Sequence, residues 1–224
     1  MTANSWAHRR RLLLFLLASL AIFAFMYVLY SAISTLQQLD VIEAERDRWQ
    51  RPSDVLAALN LREGSTVADV GSGAGYFALK LSMLVGEQGK VQAIDLRRLS
   101  LSFLWIRSLL RGAHNIGVVV GEPDDPHLAA ESMDAVLIAN TYHEFTNGGV
   151  MLDHVFRSLR AGGRLVIVDR GPHMKGDGHG LTAEVAERDL RAHGFQILSE
   201  NDAFIQREEG DVWWLLVARK SSTP

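Results

Sequence analysis

Cysteine is missing from this chain of 224 residues. Its absence excludes disulfides, thiolate nucleophiles, iron–sulfur ligation and cysteine-based zinc sites. Acidic side chains are missing from everything before Asp40, and Arg9, Arg10 and Arg11 are the only Lys or Arg in that stretch. Internal repeats and low-complexity segments are missing too. With those three arginines set aside, 20 basic residues face 26 acidic ones, so residues 40–224 carry a formal charge of −6. A domain with that balance does not wrap nucleic acid through its phosphates. The composition, 48% hydrophobic and 22% charged, is that of a folded chain. Its length suits one domain with a full core and an appendage.

The appendage is the N-terminal segment. No residue from Leu12 to Leu39 is charged, and Leu12–Tyr30 is almost wholly apolar. As a helix, that densest run spans about 28 Å, close to the thickness of bilayer hydrocarbon. Trp6, Tyr27 and Tyr30 fall near the two expected interfaces. The run is longer than the apolar core of a cleaved leader, although Ala32-Ile33-Ser34 would serve as a weak cleavage site. The expectation is therefore a tail and single transmembrane anchor over residues 1–39. A charged linker or juxtamembrane helix follows over 40–51, and a folded domain over 52–224. The arginine triplet favours a cytoplasmic N-terminus with the domain across the membrane, and the side on which the domain lies stays open.

Beyond Pro52 the chain alternates strand and helix patterns. Ser53 or Asp54 is expected to cap a helix over Val55–Asn60. Strands are expected at Thr66–Val70, Lys90–Ile94, Ile116–Val120, Asp134–Ala139 and Arg164–Val168. Helices are expected at Tyr76–Val85, Arg97–Arg111, Gly149–Arg160 and Thr182–His193, the last capped by Thr182 and stopped by Gly194. Ala161-Gly162-Gly163 reads as the turn closing the third of these. Phe195–Gln206 and Val212–Arg219 read as strands joined by a turn at Glu208–Asp211. This alternation defines an α/β fold with a doubly wound, mostly parallel sheet and a C-terminal antiparallel hairpin at one edge.

The most informative stretch is Val67-Ala68-Asp69-Val70-Gly71-Ser72-Gly73-Ala74-Gly75-Tyr76. An apolar strand ends, three alternating glycines turn the chain, and a helix begins. Such a turn lies at the C-terminal end of a strand, where doubly wound sheets bind ligands. A dinucleotide fingerprint would require Gly or Ala where Tyr76 stands, which speaks against a nicotinamide cofactor. The next strand ends in Asp95, an acid that can accept hydrogen bonds from both hydroxyls of a ribose or favour the dipole of the following helix. Gly121-Glu122-Pro123 follows the third strand, an acidic turn able to meet an adenine amino group or solvent. The fourth strand runs into Asn140-Thr141-Tyr142-His143-Glu144-Phe145, polar groups at the same crevice. Leu159-Arg160-Ala161-Gly162-Gly163 precedes a buried strand ending in Asp169.

In this order and spacing, these residues resemble the class I S-adenosylmethionine-dependent methyltransferases. The likeness covers about Pro52 to Lys220. Within that class, Tyr142–Phe145 and Trp49-Gln50-Arg51-Pro52 resemble a bacterial small-molecule branch related in pattern to quinone-biosynthesis C-methyltransferases. The resemblance implies a seven-stranded Rossmann-like sheet, S-adenosyl-L-methionine as cofactor, a small-molecule acceptor and no metal. It implies that Asp69, Gly71, Gly73, Gly75, Asp95, Glu122 and Asn140 hold the cofactor. The chain departs from the class in two places. Pro123 follows Glu122, and the helix after Asp95 is unusually apolar, edged by Arg97, Arg98, Arg107 and Arg111. That helix reads either as an ordinary core helix or as a basic amphipathic face resting on a membrane. No Asn-Pro-Pro-Tyr follows the fourth strand, which argues against methylation of DNA-base amines.

Methyl transfer from a sulfonium is an in-line displacement, so the protein mainly aligns reactants and excludes water. A base is needed only where the acceptor must lose a proton. His143 is the candidate, with Glu144 beside it; each has an alternative reading as a loop-orienting group. Tyr142 covers the substrate or packs in the core. His173, Asp177 and His179 lie in a glycine-rich loop that reads as a substrate wall, with a metal site as the weaker alternative. Trp213 and Trp214 alternate in a strand, so at least one is core. Three functions compete on this reading. They are a membrane-anchored methyltransferase for a small, lipophilic acceptor, a non-catalytic assembly module that kept the fold, and a nicotinamide-dependent oxidoreductase.

Overall fold

A computed structural model of the chain describes residues 3–172, 180–207 and 210–221. It divides into two compact units, Met1–Ala44 and Glu45–Pro224. The first unit is helical. Helix α1, Ala3–Trp49, is 47 residues long and continues unbroken through the apolar run. None of its most apolar 18-residue window is buried among the described residues. The charged stretch Asp40–Trp49 is the last part of this helix rather than an irregular linker.

The second unit opens with the end of α1 and helix α2, Pro52–Ala58. Neither Ser53 nor Asp54 caps α2. Pro52 occupies the first turn, where its missing N–H costs nothing, and Arg51 precedes it in a left-handed conformation (φ 53°). Asp54 instead accepts a 2.7 Å hydrogen bond from Arg51 Nε. The chain then runs β1 (Thr66–Val70), α3 (Tyr76–Val85), β2 (Lys90–Asp95), α4 (Arg98–Leu110), β3 (Ile116–Val120) and β4 (Met133–Ala139). A 3₁₀ turn at Tyr142–Glu144 follows, then α5 (Gly148–Ser158), β5 (Leu159–Arg170), α6 (Ala183–Ala192), β6 (Phe195–Gln206) and β7 (Val212–Lys220). Thr182 caps α6 as its side chain accepts from the Val185 N–H. The expected turn at Ala161–Gly163 lies inside the range of β5 as a bulge, with Gly162 at φ 76° and residues 160–163 unpaired with β4. Helix α5 stops at Ser158, and β5 already includes Leu159, which pairs with Met133 before the register shifts at Ala135. Of the expected hairpin turn, Glu208 and Glu209 lie outside the described residues.

The seven strands form one sheet in the order β3-β2-β1-β4-β5-β7-β6. Neighbours are parallel except around β7, which runs antiparallel to both β5 and β6. Alternate residues of each strand fill two cores. Val67, Val91, Leu137 and Val166 meet α2, α3 and α4 on one face, while Ala68, Ile94, Val136 and Ile167 meet α5 and α6 on the other. A strand buried on both faces must be apolar at nearly every position, which is why β1, β4 and β5 read as short continuous hydrophobic runs. Both tryptophans of β7 are core. Trp213 packs edge-on against Trp49 at 5.5 Å, and Trp214 donates to the Leu181 carbonyl at 2.6 Å. The strand order reverses between β1 and β4, so the ligand crevice of this topology opens at their C-terminal ends.

Candidate active site

The glycine turn leaves β1 at that crevice. Gly71 and Ser72 both donate backbone N–H groups to the Ile94 carbonyl, at 2.8 and 2.9 Å, which ties the turn to β2. Gly71 has φ 80°, and a Cβ there would collide with Thr141. The missing side chain thus lets the Asn140–Glu144 loop rest on the turn. Gly73 has φ 54° and would meet nothing within 4 Å. Its open side is where a ligand can approach the backbone. Gly75 packs under Leu104 of α4. The Gly73 N–H donates to Asp95 Oδ2 at 2.8 Å.

Asp95 is buried at the end of β2 and is gripped by its own loop. Its Oδ1 accepts from the Arg97 backbone N–H at 2.8 Å and from Arg97 Nε at 3.2 Å. The Arg97 side chain is 71% exposed. Asp95, then Glu144, hold the Arg97 guanidinium above its ordinary pKa, so Glu144 faces the same space. Glu122 follows β3 with an exposed carboxylate, 3.7 Å from His127 Nε2. Asn140 takes a left-handed conformation (φ 55°) that turns the chain out of β4, and its N–H bonds the Val168 carbonyl.

His143 is held by a residue to which the sequence reading gave no role. His143 Nδ1 lies 2.7 Å from Asp169 Oδ1, and the His143 backbone N–H donates to Asp169 Oδ2 at 3.1 Å. Asp169 is the last residue but one of β5, is wholly buried, and also accepts from the Arg170 N–H at 2.7 Å. A carboxylate at Nδ1 fixes that nitrogen as the donor and leaves the lone pair on Nε2. Nε2 lies 3.9 Å from Glu144 Oε1. The signal for Asp169 was present, because it is the third acid to stand at the C-terminal end of a strand. Tyr142 is core, packed edge-on against Phe145 and Trp214, with its hydroxyl 3.3 Å from Asp189.

A second feature hidden from sequence is the wall made by the last turn of α1. Tyr76 donates to Asp47 Oδ1 at 2.8 Å, Lys80 donates to Asp47 Oδ2 at 3.1 Å, and the Arg46 guanidinium lies 3.8 Å from the Tyr76 ring centroid. The residue that breaks the dinucleotide fingerprint thus anchors this wall. Two buried oxygens border the turn without a partner, Asp69 Oδ2 and Ser72 Oγ. Burial pushes the Asp69 carboxyl up to about 7, against the opposing pull of Arg46 and the Ala78 N–H. Among the described residues no group of three or more His, Asp or Glu could hold a metal ion. His173, Asp177 and His179 lie outside the described residues.

The sheet order, the single reversed strand, the open glycine turn and the acid closing β2 define a class I S-adenosylmethionine-dependent methyltransferase fold. Comparison with known proteins agrees. The model of the ubiE/COQ5 methyltransferase family matches residues 22–175, more than half of the chain, and the chain belongs to that family. The "Ubiquinone/menaquinone biosynthesis C-methyltransferase UbiE" of Pseudomonas putida F1 is 32% identical over 132 residues, 58% of this chain and 51% of that protein. A protein-L-isoaspartate O-methyltransferase of Methanococcus maripaludis is 31% identical over 104 residues, 42% of this chain and 48% of that protein. The chain spans about half the length of these relatives. Among solved structures, a SAM-dependent methyltransferase from Aquifex aeolicus superposes with a TM-score of 0.71 at 27% identity, covering 84% of this chain and 97% of that one. The [4+2]-cyclase SpnF shares the fold, with a TM-score of 0.68 at 17% identity over 78% of this chain and 81% of its own. That pairing separates fold from chemistry.

The site fits S-adenosylmethionine, the family's cofactor. The turn offers open space at Gly73 and two orphaned buried oxygens, and Asp95 presents a carboxylate whose outer partner is an exposed, displaceable arginine.

Proposed function

We propose that this protein transfers the methyl group of S-adenosylmethionine to carbon in a small, lipophilic acceptor, while α1 holds it to a membrane as a single-pass anchor. The observation that carries the reading is the stacking of the His143 loop on the glycine turn. Thr141 fills the space beside Gly71, so the acid–base pair and the cofactor turn share one end of the sheet. The family membership supports methyl transfer, the names of the relatives support carbon as the acceptor atom, and the exposed apolar run of α1 supports the membrane.

In this mechanism the cofactor supplies a methyl group already activated by a sulfonium. Asp95 would hold the ribose hydroxyls, with the exposed Arg97 side chain displaced, and Glu122 would hold the adenine end. Asp69 Oδ2 and Ser72 Oγ take the polar groups that their buried positions otherwise deny them. Gly73 lets the backbone close in on the ligand, Gly71 and Gly75 shape the turn by making room for Thr141 and Leu104, and Asn140 turns the acceptor loop toward it. A carbon acceptor that gains a methyl group sheds a proton, and His143 Nε2 receives it. Asp169 stabilises the resulting imidazolium and keeps the ring in the receiving tautomer. Glu144 positions Arg97 and the rim of the crevice.

Calorimetry of the full chain in detergent with S-adenosylmethionine tests the reading, with Gly73→Asp as the comparison. The wild type is expected to bind. The variant is expected to lose binding while its melting curve falls by only the few degrees that a side chain at positive φ costs, because that side chain enters open space. A folded wild type that binds no cofactor refutes the proposal.

A further inference from the structure

From Leu96 to Gly121 the sequence holds four arginines and no acid, inside a domain whose overall charge is negative. Helix α4 lies in this stretch. Its inner face buries Leu101, Leu104, Arg107 and Ser108. The Arg107 charge is used internally, since it donates to the Ala74 carbonyl of the glycine turn at 2.6 Å. The outer face shows what a soluble helix would hide. Leu99, Trp105, Leu109 and Leu110 are each at least half exposed. Arg98 is exposed on that same face, and Arg97 and Arg111 stand exposed at the two ends of the helix. Strand β3, the edge of the sheet beside α4, adds exposed Val118 and Val120.

A contiguous apolar helix face rimmed by arginine wants a partner that is apolar within and negative at its surface. A second copy of this chain does not meet that description, because an isologous contact would bring the arginine-bearing face onto itself. An anionic phospholipid bilayer does. We infer that the outer face of α4 is a docking surface for anionic phospholipid. Leu99, Trp105, Leu109 and Leu110 enter the boundary between headgroups and acyl chains, and Arg98 meets the phosphates. An anchor helix limits how far a domain strays from a bilayer but not which face it turns toward it; α4 sets that face. Since α4 begins three residues after Asp95, docking brings the mouth of the crevice to the lipid surface. The inference goes beyond the proposed reaction and holds whatever the acceptor.

The absence of native cysteine gives a clean test. Ser102→Cys, on the exposed face of α4, makes the only thiol in the chain, and Ser199→Cys on β6 provides a control far from it. The full-length chain carrying a nitroxide at either position is reconstituted into vesicles of phosphatidylcholine, alone or mixed equally with phosphatidylglycerol. Collision with oxygen is then compared with collision with a water-soluble nickel chelate. The label at 102 is expected to gain oxygen and lose nickel accessibility in the anionic vesicles, and the label at 199 is expected not to. Arg98→Ala should lower the ratio of docked to undocked protein about fivefold, the effect of one cation at an anionic surface. Equal accessibility of position 102 in both lipids overturns the inference. So does shielding with spin–spin broadening in both lipids, which would identify a second copy as the occupant. Because no step reads activity, failure here leaves the proposed reaction untouched.

Discussion

Asp69 offers the most quantitative test of the site. Its side chain is buried beneath the glycine turn with one oxygen unpartnered, and burial raises its carboxyl from 3.8 to about 7. The negative charge of Asp95 adds to the rise, while Arg46 and the Ala78 N–H oppose it. The unfolded chain releases this proton near pH 4, whereas the folded chain holds it to near pH 7. Between those values the folded state binds more protons, so stability falls as pH rises, and the full cost applies above pH 7. A shift of about three units corresponds to about 4 kcal/mol. Asp69→Asn removes the titration while keeping the side-chain shape and an acceptor for Ala78. The two proteins should therefore differ little in acid and diverge as the buffer becomes alkaline.

Worked between pH 5 and pH 8.5, the stability of the variant relative to wild type should grow by about 3 kcal/mol, since part of the cost is already present at pH 5. The assay is urea unfolding of both full-length proteins in the same detergent, followed by tryptophan fluorescence across that range. All other titrating groups are common to both chains and cancel in the difference. A difference that stays constant within about 1 kcal/mol refutes the reasoning. It would mean that Asp69 ionises as an ordinary carboxyl and that its inner oxygen has a partner, which would also remove one of the two orphaned atoms assigned to the cofactor.

Three further outcomes are expected. Arg97→Ala should tighten S-adenosylmethionine binding up to about fivefold by calorimetry, because the cofactor no longer competes with a partly exposed ion pair at Asp95; weaker binding would make Arg97 a ligand rather than a competitor. Asp169→Asn should lower kcat about a hundredfold to ten-thousandfold on an acceptor that loses a proton, while cofactor affinity holds. An unchanged kcat and pH profile would reduce the His143–Asp169 pair to a structural bond. Gly71→Ala should cost at least about 1 kcal/mol more stability than Gly73→Ala in thermal melts, since both strain a positive φ but only the first collides with Thr141.

The strands and the glycine turn were legible in the sequence because local rules fix them. A strand buried on both faces is apolar throughout, and a turn at positive φ needs glycine. Thr66–Val70, Tyr76–Val85, Ile116–Val120 and Phe195–Gln206 fall where the pattern puts them. Neither Ser53 nor Asp54 caps α2, because Pro52 already starts the helix and leaves both inside its first turn. The glycine pair Gly162-Gly163 was legible for the same reason as the glycine turn: Gly162 turns at φ 76°, residues 160–163 stand out of the ladder, and continuous pairing with β4 begins at Arg164.

The site residues that stayed hidden are those whose meaning depends on a partner distant in sequence. Asp169 is 26 residues from His143, and Asp47 is 29 from Tyr76. No periodicity links such pairs; the crossover topology does, by delivering the ends of β4 and β5 to adjacent places on one edge. A rule follows for sheets of this kind. Every acid at the C-terminal end of a parallel strand raises the question of what polar group the loop after the neighbouring strand brings to it. Asked here, that question joins Asp95 to Gly73 and Asp169 to His143, which are the two bonds on which the proposed chemistry rests.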